Sequence, residues 1–238
     1  MPRRPTLARR ITTATRWPVG IVLTSWSYMW RTTPMHRREE IGALDDDRPP
    51  ALPPGVSREE IQPASDGAGP LFHRRYVALV RRPRLSPEQL IDHIAHDLNR
   101  VAPTEFAVFQ KVAGRDDAMR VGDEYVVRMP GPWDGPVRIV AVSPASFRFA
   151  TLAGHLEAGE IEFRALPAPD GLRFEIESWA RSGDWLSNLL YHHLRMAKEV
   201  QLHMWTSFIE RVARVSGGRL TGGIDIDTCR IEDLGDEA

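Results

Sequence analysis

Cysteine is almost missing from this 238-residue chain, with Cys229 as the single one. That excludes an intrachain disulfide framework and any multi-cysteine metal site, and makes a reducing, cytoplasmic setting the expectation. Lysine is nearly absent too, at Lys111 and Lys198 only, so arginine carries the positive charge. The formal net charge of -1 gives no global basic field, and no nucleic-acid partner is expected. No apolar run approaches the roughly 20 residues that a bilayer-spanning helix needs. Catalytic signatures are missing as well: there is no nucleophile elbow, P-loop or dinucleotide fingerprint. The pairs Gly217-Gly218 and Gly222-Gly223 lack the preceding strand of a phosphate loop. No cofactor and no metal is expected. Glu199 and His203 stand four apart on a helical stretch, yet no third ligand accompanies them and a solvated helix face is the plainer reading.

What is present is ordinary for a soluble globular protein, with 42% hydrophobic and 26% charged residues. Three regions follow from composition. Residues 1–67 read as a basic, aromatic arm and a Pro-rich linker. Residues 68–218 read as the folded domain, and 219–238 as an acidic tail containing Cys229. In the arm, Arg3, Arg4, Arg9, Arg10, Arg16 and Arg31 bracket Trp17–Trp30, 14 residues that include Pro18 and Gly20. Three tryptophans beside arginines suit a segment lying on a membrane surface, or one packing on a second copy of the chain. From Asp45 to Pro70, proline, glycine and acidic residues dominate without a sustained period, which is linker composition.

The domain opens with alternation over Phe72–Arg82, in which Tyr76, Ala78 and Val80 oppose His73, Arg75 and Val77. Ser86-Pro87-Glu88-Gln89 then carries a capping box with proline at the first helical position. Six further strand candidates follow: Glu105–Val112, Asp123–Met129, Val137–Val142, Ser146–Thr151, Gly159–Leu166 and Leu172–Ala180. The last two are joined by a turn at Pro167–Gly171. Asp184–Val215 is the longest helical pattern. Leu186, Leu189, Leu190, Ala197, Val200, Met204, Phe208 and Val212 recur at spacings of three and four, and Gly217-Gly218 ends it. The expectation is an α+β fold in which a curved antiparallel sheet of six to seven strands wraps around a long C-terminal helix.

Several segments carry a family likeness: Phe109-Gln110-Lys111, Val121–Glu124, Met129–Trp133 and above all Gly154-His155-Leu156-Glu157-Ala158-Gly159-Glu160 with Phe163. Over residues 70 to 218 they resemble a bacterial family of unknown function within the START-like, helix-grip superfamily, which includes lipid-transfer domains and polyketide cyclases. The resemblance implies a helix-grip fold and a hydrophobic-ligand pocket, and it implies no particular chemistry.

The expected function is binding of a small hydrophobic or amphipathic molecule between sheet and helix. Phe147, Phe149, Ile161, Phe163, Phe174, Ile176, Leu190, Ala197 and Met204 would line the site, with Tyr125 and His155 as polar contacts. An enzyme of the same fold using His155 with Glu157 or Glu160 is the alternative. A third reading makes the Trp17–Trp30 arm primary, as a membrane-surface or self-association element. Glu160, Glu162, Glu175 and Glu177 alternate with Ile161, Phe163, Phe174 and Ile176, so their side chains are expected to face outward into solvent beside Arg164 and Arg173.

Overall fold

A computed structural model describes residues 33–42, 47–105, 107–129, 134–183 and 195–231, with the backbone alone for 195–200. Trp17–Trp30, Trp133, Leu190 and the expected helical segment 184–194 lie outside them, and the side chain of Ala197 is not described.

Nine strands form one curved open sheet: β1 (Met35–Ile41), β2 (Ala68–Arg81), β3 (Val108–Ala113), β4 (Glu124–Arg128), β5 (Asp134–Ser143), β6 (Ser146–Thr151), β7 (Glu157–Ala168), β8 (Gly171–Ser182) and β9 (Arg219–Ile231). Their order is β1-β9-β2-β8-β7-β6-β5-β4-β3. Every pair is antiparallel except β1 with β9, which is parallel. Seven of the strands were read from the sequence, most of them by alternation, and the nine exceed the upper expected count of seven by two. The two are β1 and β9, which lie in the stretches read as arm and acidic tail. Both join the sheet of the domain. Cys229 therefore sits inside a strand, opposite His73 of β2, and not in a frayed terminus.

The concave face is built by period-two burial. Tyr76, Ala78 and Val80 of β2 are buried together with Phe174 and Ile176 of β8 and Phe163 and Ala165 of β7. Register places Ile176 opposite both Tyr76 and Phe163, so the apolar residues form continuous rows across the sheet. Two α-helices among the described residues cover this face. In α1 (Pro87–His96), Ser86 Oγ accepts from the Gln89 amide at 3.2 Å, and Gln89 Oε1 accepts from the Ser86 amide at 2.9 Å. That is the expected capping box, and it turns Leu90, Ile91 and Ile94 inward. α1 lies over β6 and β7, whereas α2 (Arg195–Val215) lies over β2 and β9. α2 ends in a Schellman motif. Gly218 N–H donates to Ala213 C=O at 3.1 Å, Gly217 N–H to Arg214 C=O at 3.0 Å, and Gly217 has φ +74°.

The helix is more deeply enclosed than a one-sided stripe requires. Leu202, His203, Trp205, Thr206, Ser207, Phe208 and Ile209 are consecutive or nearly so, and all are buried. Met204, expected at the centre of the apolar stripe, is only partly covered. His203, expected on a solvated face, is buried as well, at 5% exposed. The helix is tied to the chain around Ala102 further along. Arg211 donates to the Ala102 carbonyl at 2.8 Å there.

The convex face is covered by the segment read as linker. Residues 47–67 contain two single-turn 3-10 helices, Arg58–Glu60 and Ala64–Asp66, and run across the back of the sheet. Ile61 packs with Val140 and Ala150, and Ala64 packs with Leu71, Trp179 and Ile231. Hydrogen bonds fix the crossing. Gln62 N–H donates to Thr151 C=O at 2.7 Å, Gly159 N–H to Gln62 C=O at 2.9 Å, and the Arg148 guanidinium to the carbonyls of Pro50 and Ala51. Gly159 is needed at this crossing, since it has φ +152° and a Cβ there would lie 1.9 Å from the Trp179 carbonyl oxygen. The segment is a strap, ordered by its hydrogen bonds in spite of its composition.

Candidate functional site

The concave face divides along α2. Toward the C-terminal half of the helix, aromatic rings fill the interface: Phe147 stacks on Phe163 at 4.9 Å, and Phe163 meets Phe208 at 5.2 Å and Trp205 at 5.5 Å. Tyr125 meets Phe149 edge-on at 5.5 Å, and Phe174 meets Phe208 at 6.2 Å. The expected lining residues Tyr125, Phe147, Phe149, Phe163, Phe174 and Ile176 are thus brought together, packed against one another in a single core. Burial pushes the Tyr125 phenol up to about 12, with the charges of Asp123 and Asp116 adding to it. Ile161 and Met204 join the same core but remain partly exposed at its margin.

Toward the N-terminal half of α2 the face turns polar. Arg74 is 5% exposed although it occupies the apolar side of β2, two positions before Tyr76. Its Nη1 donates to Gln201 Oε1 at 3.0 Å, and its guanidinium lies 4.6 Å from the Phe72 ring centroid. Gln201 Nε2 reaches both Glu157 carboxylate oxygens at 3.4 Å. The Tyr76 hydroxyl is raised to about 12 by burial, with the Arg74 charge opposing and Glu157 adding. Arg74, Tyr76 and Gln201 were not singled out from the sequence as site residues. An arginine in register with Tyr76, Ala78 and Val80 was the available signal. Between the two halves stands Trp205, which is 7% exposed and whose indole N–H has no hydrogen-bond acceptor among the described residues. A buried donor left without an acceptor costs about 1–3 kcal/mol.

His155 takes a different position from the one expected of an acid–base partner. Gly154 has φ +97° and begins the turn, His155 N–H donates to Leu152 C=O, and the Glu157 amide donates to His155 Nδ1 at 2.9 Å. Burial lowers the imidazole's pKa, while the Glu157 charge and its backbone pull the other way. The ring is therefore a neutral turn brace beside Gly135 and Met129. The Glu157 carboxylate turns to Gln201, and Glu160 turns to Arg148 on the opposite face at 3.3 Å. Neither carboxylate is hydrogen-bonded to the His155 ring.

The four glutamates do face outward, but three of them are not solvated. Glu160, Glu175 and Glu177 are 7%, 2% and 8% exposed. Arg164 Nε donates to Glu175 at 2.5 Å, and Arg164 also bonds Glu177. Glu177 accepts in addition from His73 Nε2 at 2.8 Å, while His73 Nδ1 faces Asp47 Oδ1 at 2.6 Å. Burial disfavours charge on both His73 and Glu177, and their mutual hydrogen bond, with Asp47 and Arg164, outweighs it. The imidazole ends raised and the Glu177 carboxyl lowered. The Trp179 ring stacks on His73 at 5.2 Å. Glu160 is raised, since burial and the Glu162 charge exceed the effect of Arg148.

A curved open sheet with a long helix packed on its concave face, and a buried polar cluster at one end of that helix, defines an α+β protein. The chain belongs to the family described as a domain of unknown function (DUF1990), whose model matches residues 61–211. That match begins after Asp47 and ends before β9. No curated protein matches the chain. Among solved structures, it is similar to norcoclaurine synthase from Thalictrum flavum in complex with dopamine and hydroxybenzaldehyde, at 8% identity and a TM-score of 0.43, covering 71% of this chain and 96% of that one. It is also similar to the di-domain ARO/CYC StfQ from the steffimycin biosynthetic pathway, at 9% identity and a TM-score of 0.45, covering 65% and 52%. A protein from Mycobacterium smegmatis aligns at 16% identity and a TM-score of 0.39, covering 60% and 89%.

Proposed function

We propose that the protein binds a small amphipathic molecule at the N-terminal half of α2. Its apolar body would lie against Ile161 and Met204, and an acceptor-bearing group would point to the Trp205 indole N–H and the Arg74 guanidinium. The observation that carries this reading is Trp205: its buried N–H has no acceptor among the described residues, and a ligand oxygen would satisfy it. The partly exposed Ile161 and Met204 supply apolar surface close by in the chain and on the strand. Arg74 adds a fixed positive charge that favours an anionic or strongly polar head. The ring contacts around Phe163 support a closed inner end, with the aromatic residues as the floor of the site.

Native mass spectrometry of the purified chain should reveal a retained small molecule. Independently, 1-anilinonaphthalene-8-sulfonate, an apolar ring system with an anionic group, should bind saturably. Trp205→Phe and Arg74→Met should each weaken that binding by about tenfold, the worth of one buried hydrogen bond. An empty protein with no saturable dye binding, or binding indifferent to both substitutions, would overturn the proposal.

A further inference from the structure

One corner of the convex network brings a thiol up to a charge pair. Cys229, His73 and Asp47 come from β9, β2 and the strap, three separate elements, and their donor atoms all lie within 4.8 Å of one another. The β2–β9 register sets His73 directly opposite Cys229. The far nitrogen of the ring is already held, since Nε2 sits 2.8 Å from Glu177 Oε1 and Glu177 is itself bonded by Arg164. A carboxylate that orients a histidine from behind and leaves its other nitrogen to a ligand is the common outer arrangement of metal-bound imidazoles. The wall facing Asp47 is bare backbone. A Cβ on Gly42 would lie 2.4 Å from Asp47 Oδ2 and 3.0 Å from the Cys229 Cβ, so any other residue there would fill the corner. Trp179 closes a further side by stacking on the imidazole.

We propose that Asp47, His73 and Cys229 form a binding site for a divalent ion of zinc's class, with Glu177 as the positioning residue behind His73. One thiolate, one imidazole and one carboxylate are the donor set of a borderline-soft ion; calcium and magnesium take all-oxygen shells. Without the ion, protons occupy the same corner. The thiol is pushed up to about 11 by burial and by the Asp47 charge, and His73 Nδ1–H points at Asp47. Binding exchanges the Sγ proton and the Nδ1 proton for one metal ion, so two protons leave, nothing is oxidised, and Nε2–H stays on Glu177. Distances of about 2.0–2.3 Å from metal to ligand require Asp47 and His73 to part slightly from their present 2.6 Å. The ion would clip the strap to β2 and β9.

Because Cys229 is the single cysteine of the chain, a thiolate signature can come from nowhere else. Chelator-treated full-length protein titrated with Co2+ should develop a thiolate-to-cobalt charge-transfer band at one equivalent, and Zn2+ should displace it. Cys229→Ser should abolish the band, and His73→Gln and Glu177→Gln should weaken binding by about 10–100-fold. Circular dichroism of the near-isosteric Cys229→Ser protein separates loss of the ligand from loss of the fold. Zn2+ should raise the unfolding temperature of the parent and leave folded Cys229→Ser unmoved. No band at millimolar Co2+, or a Zn2+ shift that survives in Cys229→Ser, would overturn the proposal.

Discussion

The two faces of this sheet bury their side chains by opposite means. On the concave face, Phe147, Phe163, Phe174 and Phe208 exclude water by filling space with rings. On the convex face, Glu160, Glu175 and Glu177 are as deeply buried, yet each has an arginine or histidine beside it. Apolar packing loses stability in proportion to what is cut away, and its atoms are interchangeable. A buried charge network is different, because removing one member strands the others. The second kind of burial contributes less net stability and demands more exact partners.

Truncation should separate the faces most sharply. Phe163→Ala opens a cavity at the meeting point of Phe147, Trp205 and Phe208 and should cost about 3–5 kcal/mol in denaturant unfolding. A loss below about 1 kcal/mol would mean that the aromatic floor is loose and the contrast is false. On the other face, Arg148→Met leaves the buried Glu160 uncompensated and frees the carbonyls of Pro50 and Ala51. It should cost about 3 kcal/mol. The double variant Arg148→Met/Glu160→Leu should recover most of that, which no second substitution beside Phe163→Ala can do. Failure to recover would show that the strap carbonyls, not the stranded carboxylate, set the cost.

The smallest effect concerns two histidines, read by NMR titration of metal-free protein. His73 should titrate above 6.5 and His155 below it. Their linkage to stability has opposite sign. The contribution of His73 is fully present below pH 6.5 and fades as pH rises through its raised folded value. That of His155 is present above pH 6.5 and is lost as pH falls through its lowered one. Titration of both on the same side of 6.5 would break the comparison.

Much of the fold was legible because apolar residues alternate with charged ones along the strands, even in β8, where both faces are buried. The alternation in β2, β7 and β8 and the turn near Pro169 reported strand and register, and Ser86 and Gly217 reported the ends of helices. What escaped notice shares a physical cause. β1, Met-His-Arg-Arg-Glu-Glu-Ile, buries almost nothing and is held by backbone bonds to β9, so it carries no hydrophobic period. The strap has no repeat because its order comes from scattered carbonyl and amide contacts. With the strap unread, the outward direction of the glutamates was recoverable and their burial was not. In β9 the pairs Ile224/Ile226 and Asp225/Asp227 do alternate, but Gly222-Gly223 and the acidic residues after it masked them. Of the candidate site, the aromatic floor was visible as large residues on one face of three strands. Arg74 broke the apolar pattern of β2 and was the overlooked clue.

The parallel pairing of β1 with β9 also bears on how the chain assembles. Met35 finds its sheet partner at Ile224, so nearly the whole described chain must be synthesised before this edge can zip. Contacts of such long sequence separation form late and slow folding. Until then β2 presents an open edge, with the exposed Leu79 on it, as a template for the wrong neighbour. When β9 and then β1 arrive, the edge of the sheet among the described residues is β1, which carries the charges Arg37, Arg38, Glu39 and Glu40. On this reading the pairing expected to form last is also the one that covers the open edge of the sheet.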